Sequence, residues 1–105
     1  MTFRIRIQNT ALMELDSVIA FLDARDSKSA SRFFEAFQEL LARLKDGLVE
    51  YRLSRFGTLA RLGYHTALVG DYVVLYFRRD EEVVVAHLFH QSQDYETLLI
   101  HAEEE

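Results

Sequence analysis

The strongest constraint on the fold is a change of hydrophobic period part-way along the chain. From Leu12 to Leu44 apolar residues recur every three or four positions, whereas from Leu62 to His90 they run in short blocks broken by Gly70-Asp71 and by Arg79 to Glu82. The first spacing belongs to helices with a buried stripe, the second to strands joined by tight turns. A chain holding both in that order buries its helices against one face of an antiparallel sheet, which makes it α+β. Its 105 residues leave room for one core, so residues 1–105 read as a single domain.

At the N-terminus Phe3, Ile5 and Ile7 alternate with Arg4, Arg6 and Gln8, predicting an edge strand over residues 2–8. Asn9 or Thr10 then caps a helix carrying Leu12, Leu15, Val18, Ile19 and Leu22, which ends near Asp23 to Arg25. Asp26 or Ser27 opens a second helix, antiparallel to the first, with Ala30, Phe33, Phe34, Phe37, Leu40, Leu41 and Leu44 as its core stripe and Gly47 as its stop. Residues 48–60 show no clear period and read as a loop with room for a short strand. Residues 62–69, 72–78 and 83–90 form a three-stranded antiparallel meander, and Asp94 caps a short C-terminal helix with Tyr95, Leu98, Leu99 and Ala102 on one face.

Several kinds of chemistry are excluded. The chain has no cysteine, which removes disulfides, thiolate zinc sites and thiol catalysis. No signal-peptide pattern opens it and no apolar run approaches the roughly 20 residues of a membrane span, so a cytoplasmic protein without membrane contact is expected. The net charge is -5, with Glu103, Glu104 and Glu105 in an acidic tail. Between residues 43 and 61 the sign reverses, Arg43, Lys45, Arg52, Arg55 and Arg61 outweighing Asp46 and Glu50. That stretch could hold phosphates, although an acidic chain argues against strong nonspecific nucleic-acid binding.

Taking the most apolar set as core, Val73, Leu75 and Phe77 are expected to face the helices, together with Val84, Ala86 and Leu88. Tyr72, Val74, Tyr76 and Arg78 then lie on an open face with Val83, Val85, His87 and Phe89, joined by Arg4 and Arg6. Such a face is too apolar for plain solvent and reads as a contact surface. His87 and His90, three apart, fall on opposite sides of a strand and cannot easily share a metal; no metal or cofactor is called for. His90 with Asp94 could serve as an acid/base pair, or simply bond the turn backbone. Tyr72 and Tyr76 could stack bases or pack beneath a partner. Glu35 and Glu39 read as a solvated helix face.

The last forty-five residues of the chain carry a family resemblance. Gly63-Tyr64-His65, Val69-Gly70-Asp71-Tyr72-Val73-Val74-Leu75-Tyr76 and His90-Gln91-Ser92-Gln93-Asp94-Tyr95 resemble the RelE/ParE toxin superfamily, in which a strand and a helical hairpin precede a meander. The resemblance implies the toxin of a type II toxin-antitoxin or plasmid-stabilisation module, neutralised by a cognate antitoxin. One branch resembles ribosome-dependent mRNA endonucleases that work without metal; another, ParE-like, inhibits DNA gyrase by binding it. Here His65 stands where the family usually has Arg, His87 where Arg is common, and Ser92-Gln93 where a basic pair often follows. Stabilising the charge that develops during phosphodiester cleavage asks for guanidinium or ammonium groups, so these departures favour a binding toxin over a nuclease. A member that only binds its antitoxin is a third reading, and a homo-oligomer is left open. The expected partner or target surface is His65, Tyr72, Tyr76, Arg78, His87, His90 and Tyr95, with His90 as the catalytic candidate of a nuclease.

Overall fold

A computed structural model describes residues 2–47 and 63–92. The elements are β1 (Arg4–Ile7), α1 (Asn9–Arg25), α2 (Ser27–Asp46), β2 (His65–Val69), β3 (Tyr72–Arg79) and β4 (Glu82–His90). They build the expected α+β arrangement, one four-stranded sheet in the order β1-β4-β3-β2. β2, β3 and β4 form the antiparallel meander, and β1 closes one edge by pairing parallel to β4. The anticipated strand within residues 48–60 and the C-terminal helix lie outside the described residues.

Local chemistry accounts for most boundaries. Asp26 caps α2 by accepting the Lys28 amide at 3.0 Å and the Ser29 hydroxyl at 3.3 Å. Gly47 ends the helix in the left-handed region at φ 67, its amide reaching back to the Arg43 and Leu44 carbonyls. The start of α1 differs from expectation: Asn9 is already helical, and the residue before it, Gln8, makes no side-chain cap. Thr10 does not cap either, because its hydroxyl donates to the Ala86 carbonyl across the molecule at 3.0 Å.

The core lies between the helices and one sheet face. Phe33, Phe37, Leu40 and Leu44 of α2 and Ala11 and Leu15 of α1 meet Ala67, Val69, Tyr72, Val74, Tyr76, Val83, Val85 and Leu88 of the sheet. Phe34, expected in that stripe, is 41% exposed. The face assignment of β3 is reversed: Tyr72, Val74 and Tyr76 point to the helices, whereas Val73 and Leu75 form a second cluster with Tyr64 and Phe89. Both faces of β3 are apolar, so polarity alone could not choose between them, and the Tyr72 ring meets Phe33 edge-on at 5.2 Å.

β4 departs from strict alternation. Leu75 pairs with His87 but Tyr76 pairs with Val85, leaving Ala86 as the extra residue of a bulge. Val83 and Val85 therefore join the helix-side core, contrary to expectation, while Leu88 joins it as expected from beyond the bulge. The second face is not open either: Leu75 and Val84 are fully buried, and Tyr64 and Phe89 pack onto the Val73-Leu75 pair. Tyr64 also meets Phe77 edge-on at 5.8 Å. Arg4 and Arg6 remain exposed along the edge, with Arg6 Nε 3.3 Å from Glu82.

Candidate functional site

The residues singled out from the sequence do not form one surface. His65, at the start of β2, stacks on Tyr76 at 5.3 Å, as their cross-strand pairing requires. Tyr76 is 4% exposed and belongs to the core. Arg78 lies two residues beyond Tyr76, near the C-terminal end of β3, its guanidinium 4.3 Å from the centre of the Phe3 ring. His87 lies with Phe89, the two rings stacked at 5.5 Å, on the side turned away from the helices. Tyr95 lies outside the described residues, as do Asp94, Arg52, Arg55 and Arg61.

Register brings Tyr72 and His90 together. They are paired across β3 and β4, and their rings meet edge-on at 5.2 Å. His90 Nδ1 accepts the Ser92 amide at 3.1 Å and lies 2.7 Å from the Ser92 hydroxyl. An amide can only donate, so Nδ1 is held as an acceptor and the proton of the neutral ring belongs on Nε2. The hydrogen bond to the turn backbone is the plainer of the two roles weighed for His90.

Tyr72 and His90 form one wall of a cleft of about 380 Å³. Leu88 and Phe89 complete that wall, and Met13, Glu14, Ser17 and Val18 of α1 supply the other. Of these α1 residues the sequence singles out Val18 alone, as part of the buried stripe, and not Met13, Glu14 or Ser17. β1 pairs with β4 only as far as Val85, whose carbonyl accepts the Gln8 amide at 3.0 Å. From there α1 replaces it: Thr10 reaches the Ala86 carbonyl, and Glu14 Oε1 accepts the Leu88 amide at 3.0 Å. One helical turn separates Thr10 from Glu14, which matches two bonding positions along the strand edge. This spacing was the available signal, although it is meaningful only once α1 is known to flank β4.

The same carboxylate lies 3.4 Å from His87 Nδ1, outside hydrogen-bond alignment, and that ring nitrogen is buried without a hydrogen bond. Among the described residues Glu14 is the only carboxylate lining the cleft, and no described lysine or arginine lines it. Apolar walls around one negative charge suit a protein side chain and repel a phosphodiester. Among the described residues no group of three or more His, Asp or Glu is arranged to hold a metal ion, and no helix is long and apolar enough to cross a membrane.

Comparison with known proteins decides the family. The model of the ParE toxin of the type II toxin-antitoxin system parDE matches residues 5–95. The chain belongs to the ParE toxin family. Among solved structures it is similar to a chain of the chromosomal ParDE toxin-antitoxin system from P. aeruginosa, with a TM-score of 0.67 and 12% identity, covering 85% of this chain and 96% of that one. At that identity the likeness speaks for the fold, which the two share. No match was found among curated proteins. The chain is thus a toxin component of the type II class, within the superfamily that its C-terminal motifs resemble.

Proposed function

We propose that this ParE-family chain is held inactive by a small cognate antitoxin and, when released, acts by binding DNA gyrase rather than by cutting RNA. The observation that carries the reading is the chemistry of the cleft. Among the described residues the histidine lining it, His90, is engaged by the Ser92 backbone, and the charged group lining it is the Glu14 carboxylate. A nuclease site needs cationic groups where phosphate charge develops, whereas apolar walls with a few polar groups suit a protein ligand. His65 and His87, standing where the superfamily commonly has Arg, support the same choice.

The test is expression of the chain alone and together with the product of the neighbouring open reading frame. Growth arrest by the chain, relieved by that product and accompanied by co-purification of the two, is the expected result. Normal growth with no co-purification refutes the module. Normal growth with tight co-purification identifies a member that has lost its toxicity and keeps only its partner.

A further inference from the structure

α1 is apolar on the side that should face water. Its inward positions Ala11, Leu15, Val18 and Leu22 are buried or partly buried, as a helix on a sheet requires. Its outward side carries Met13, 69% exposed, and Phe21, 55% exposed, with exposed Ser17 and Ala20 between them. Met13, Ser17 and Phe21 succeed one another at four-residue spacing, so they form a single ridge about 12 Å long with a low saddle at Ser17. Met13 and Ser17 also line the cleft beside His90, so ridge and cleft are continuous. An ordinary surface helix presents charge here.

The charges stand at the borders of this ridge and are acidic. At 100° per residue, Asp16 and Asp23 fall on one flank and Glu14 on the other. The exposed cation of the helix, Arg25, lies at its end with its guanidinium 5.6 Å from the Phe21 ring centre. A second copy of the chain is a poor occupant, because antiparallel two-fold packing of α1 on α1 sets the acidic flank of one copy, with Asp16 and Asp23, against the same flank of the other. An anionic lipid surface is disfavoured by the same acids.

We infer that the outer face of α1 is a docking surface for a basic amphipathic helix of a protein partner. An apolar stripe on that helix beds over Ser17 between Met13 and Phe21, and lysines or arginines on its borders meet Asp16, Asp23 and Glu14. The inference rests on the toxin reading only in identifying that partner as the antitoxin; the chemistry of the face stands without it.

Two synthetic helices of about four turns test it, one with leucine and lysine and one with leucine and glutamate in the same pattern, titrated against the whole chain by fluorescence anisotropy. The leucine-lysine helix should bind at least about tenfold more tightly, and more weakly as salt is raised. Met13→Ala with Phe21→Ala should cost about tenfold or more in affinity, while Leu68→Ala, an exposed leucine on the far edge strand β2, should cost nothing. Asp16→Asn with Asp23→Asn should remove most of the preference for lysine. Equal binding of the two helices, binding of neither, or indifference to the Met13 and Phe21 substitutions overturns the inference. A concentration-dependent dimer abolished by Phe21→Ala also overturns it, by giving the face to a second copy. The outcome is separable from the toxin reading, which stands or falls on growth arrest and its relief.

Discussion

Replacing Glu14 with alanine tests how α1 is fastened to the sheet. Among the described residues no strand flanks β4 on its outer side beyond Val85, and the Leu88 amide depends on Glu14 Oε1 at 3.0 Å. Leu88 is 3% exposed, so Glu14→Ala leaves a donor with poor access to water. A hydrogen bond to a charged acceptor contributes about 1.5–3 kcal/mol, and a buried donor left without one costs about 1–3 kcal/mol. Because the Glu14 side chain keeps 27% of its exposure, water can reach part of the gap, and about 2 kcal/mol is the expected loss. For a chain of this size that lowers the melting temperature by roughly 10 °C. Glu14→Gln keeps an acceptor oxygen and should lose about half as much. Urea unfolding gives the free energy, and hydrogen exchange should show the Leu88 amide losing protection before its neighbours in β3. If Glu14→Ala unfolds with the wild type and the Leu88 amide stays protected, the helix does not serve as the edge partner of β4.

Two other substitutions follow from the packing. Tyr76→Ala should cost about 3 kcal/mol or more in urea unfolding, because the ring is buried under the helices, whereas Tyr76→Phe should stay within about 1.5 kcal/mol. Any loss of partner binding by Tyr76→Ala should then disappear in Tyr76→Phe. Asp26→Ala removes the cap of α2 and should cost about 1 kcal/mol by the same measurement, with Asp26→Ser close to wild type.

The order of elements was legible because the local rules agree with one another. The period changes once, Asp26 and Gly47 mark the ends of α2, and two-residue turns stand at Gly70-Asp71 and Asp80-Glu81. The faces of the sheet were harder to read because Val73 and Leu75 are as apolar as Val74, and tyrosine can serve either a core or a surface. The bulge at Ala86 then broke the alternation that would have carried one assignment along β4. His87 and Phe89 were placed correctly opposite the helices, but for a strand whose first half faces the other way. Of the candidate site, the Tyr72-His90 pair was within reach of the strand register. The α1 side of the cleft was not, because Glu14 and Ser17 look like ordinary solvated helix residues until the helix is laid beside β4. An outward Met13 and Phe21 on a helix already supplied with Leu15, Val18 and Leu22 was the overlooked sign of a second apolar face.

Binding without cleavage is the central claim, and a paired assay on the purified chain tests it most directly. DNA supercoiling by purified gyrase and the integrity of ribosome-bound mRNA are followed at the same toxin concentrations. The chain should block supercoiling and leave the message whole, and His90→Gln, folded as wild type by circular dichroism, should inhibit nearly as well. Cleaved mRNA with supercoiling untouched, and a cleavage rate reduced about a hundredfold or more by His90→Gln, would contradict the account.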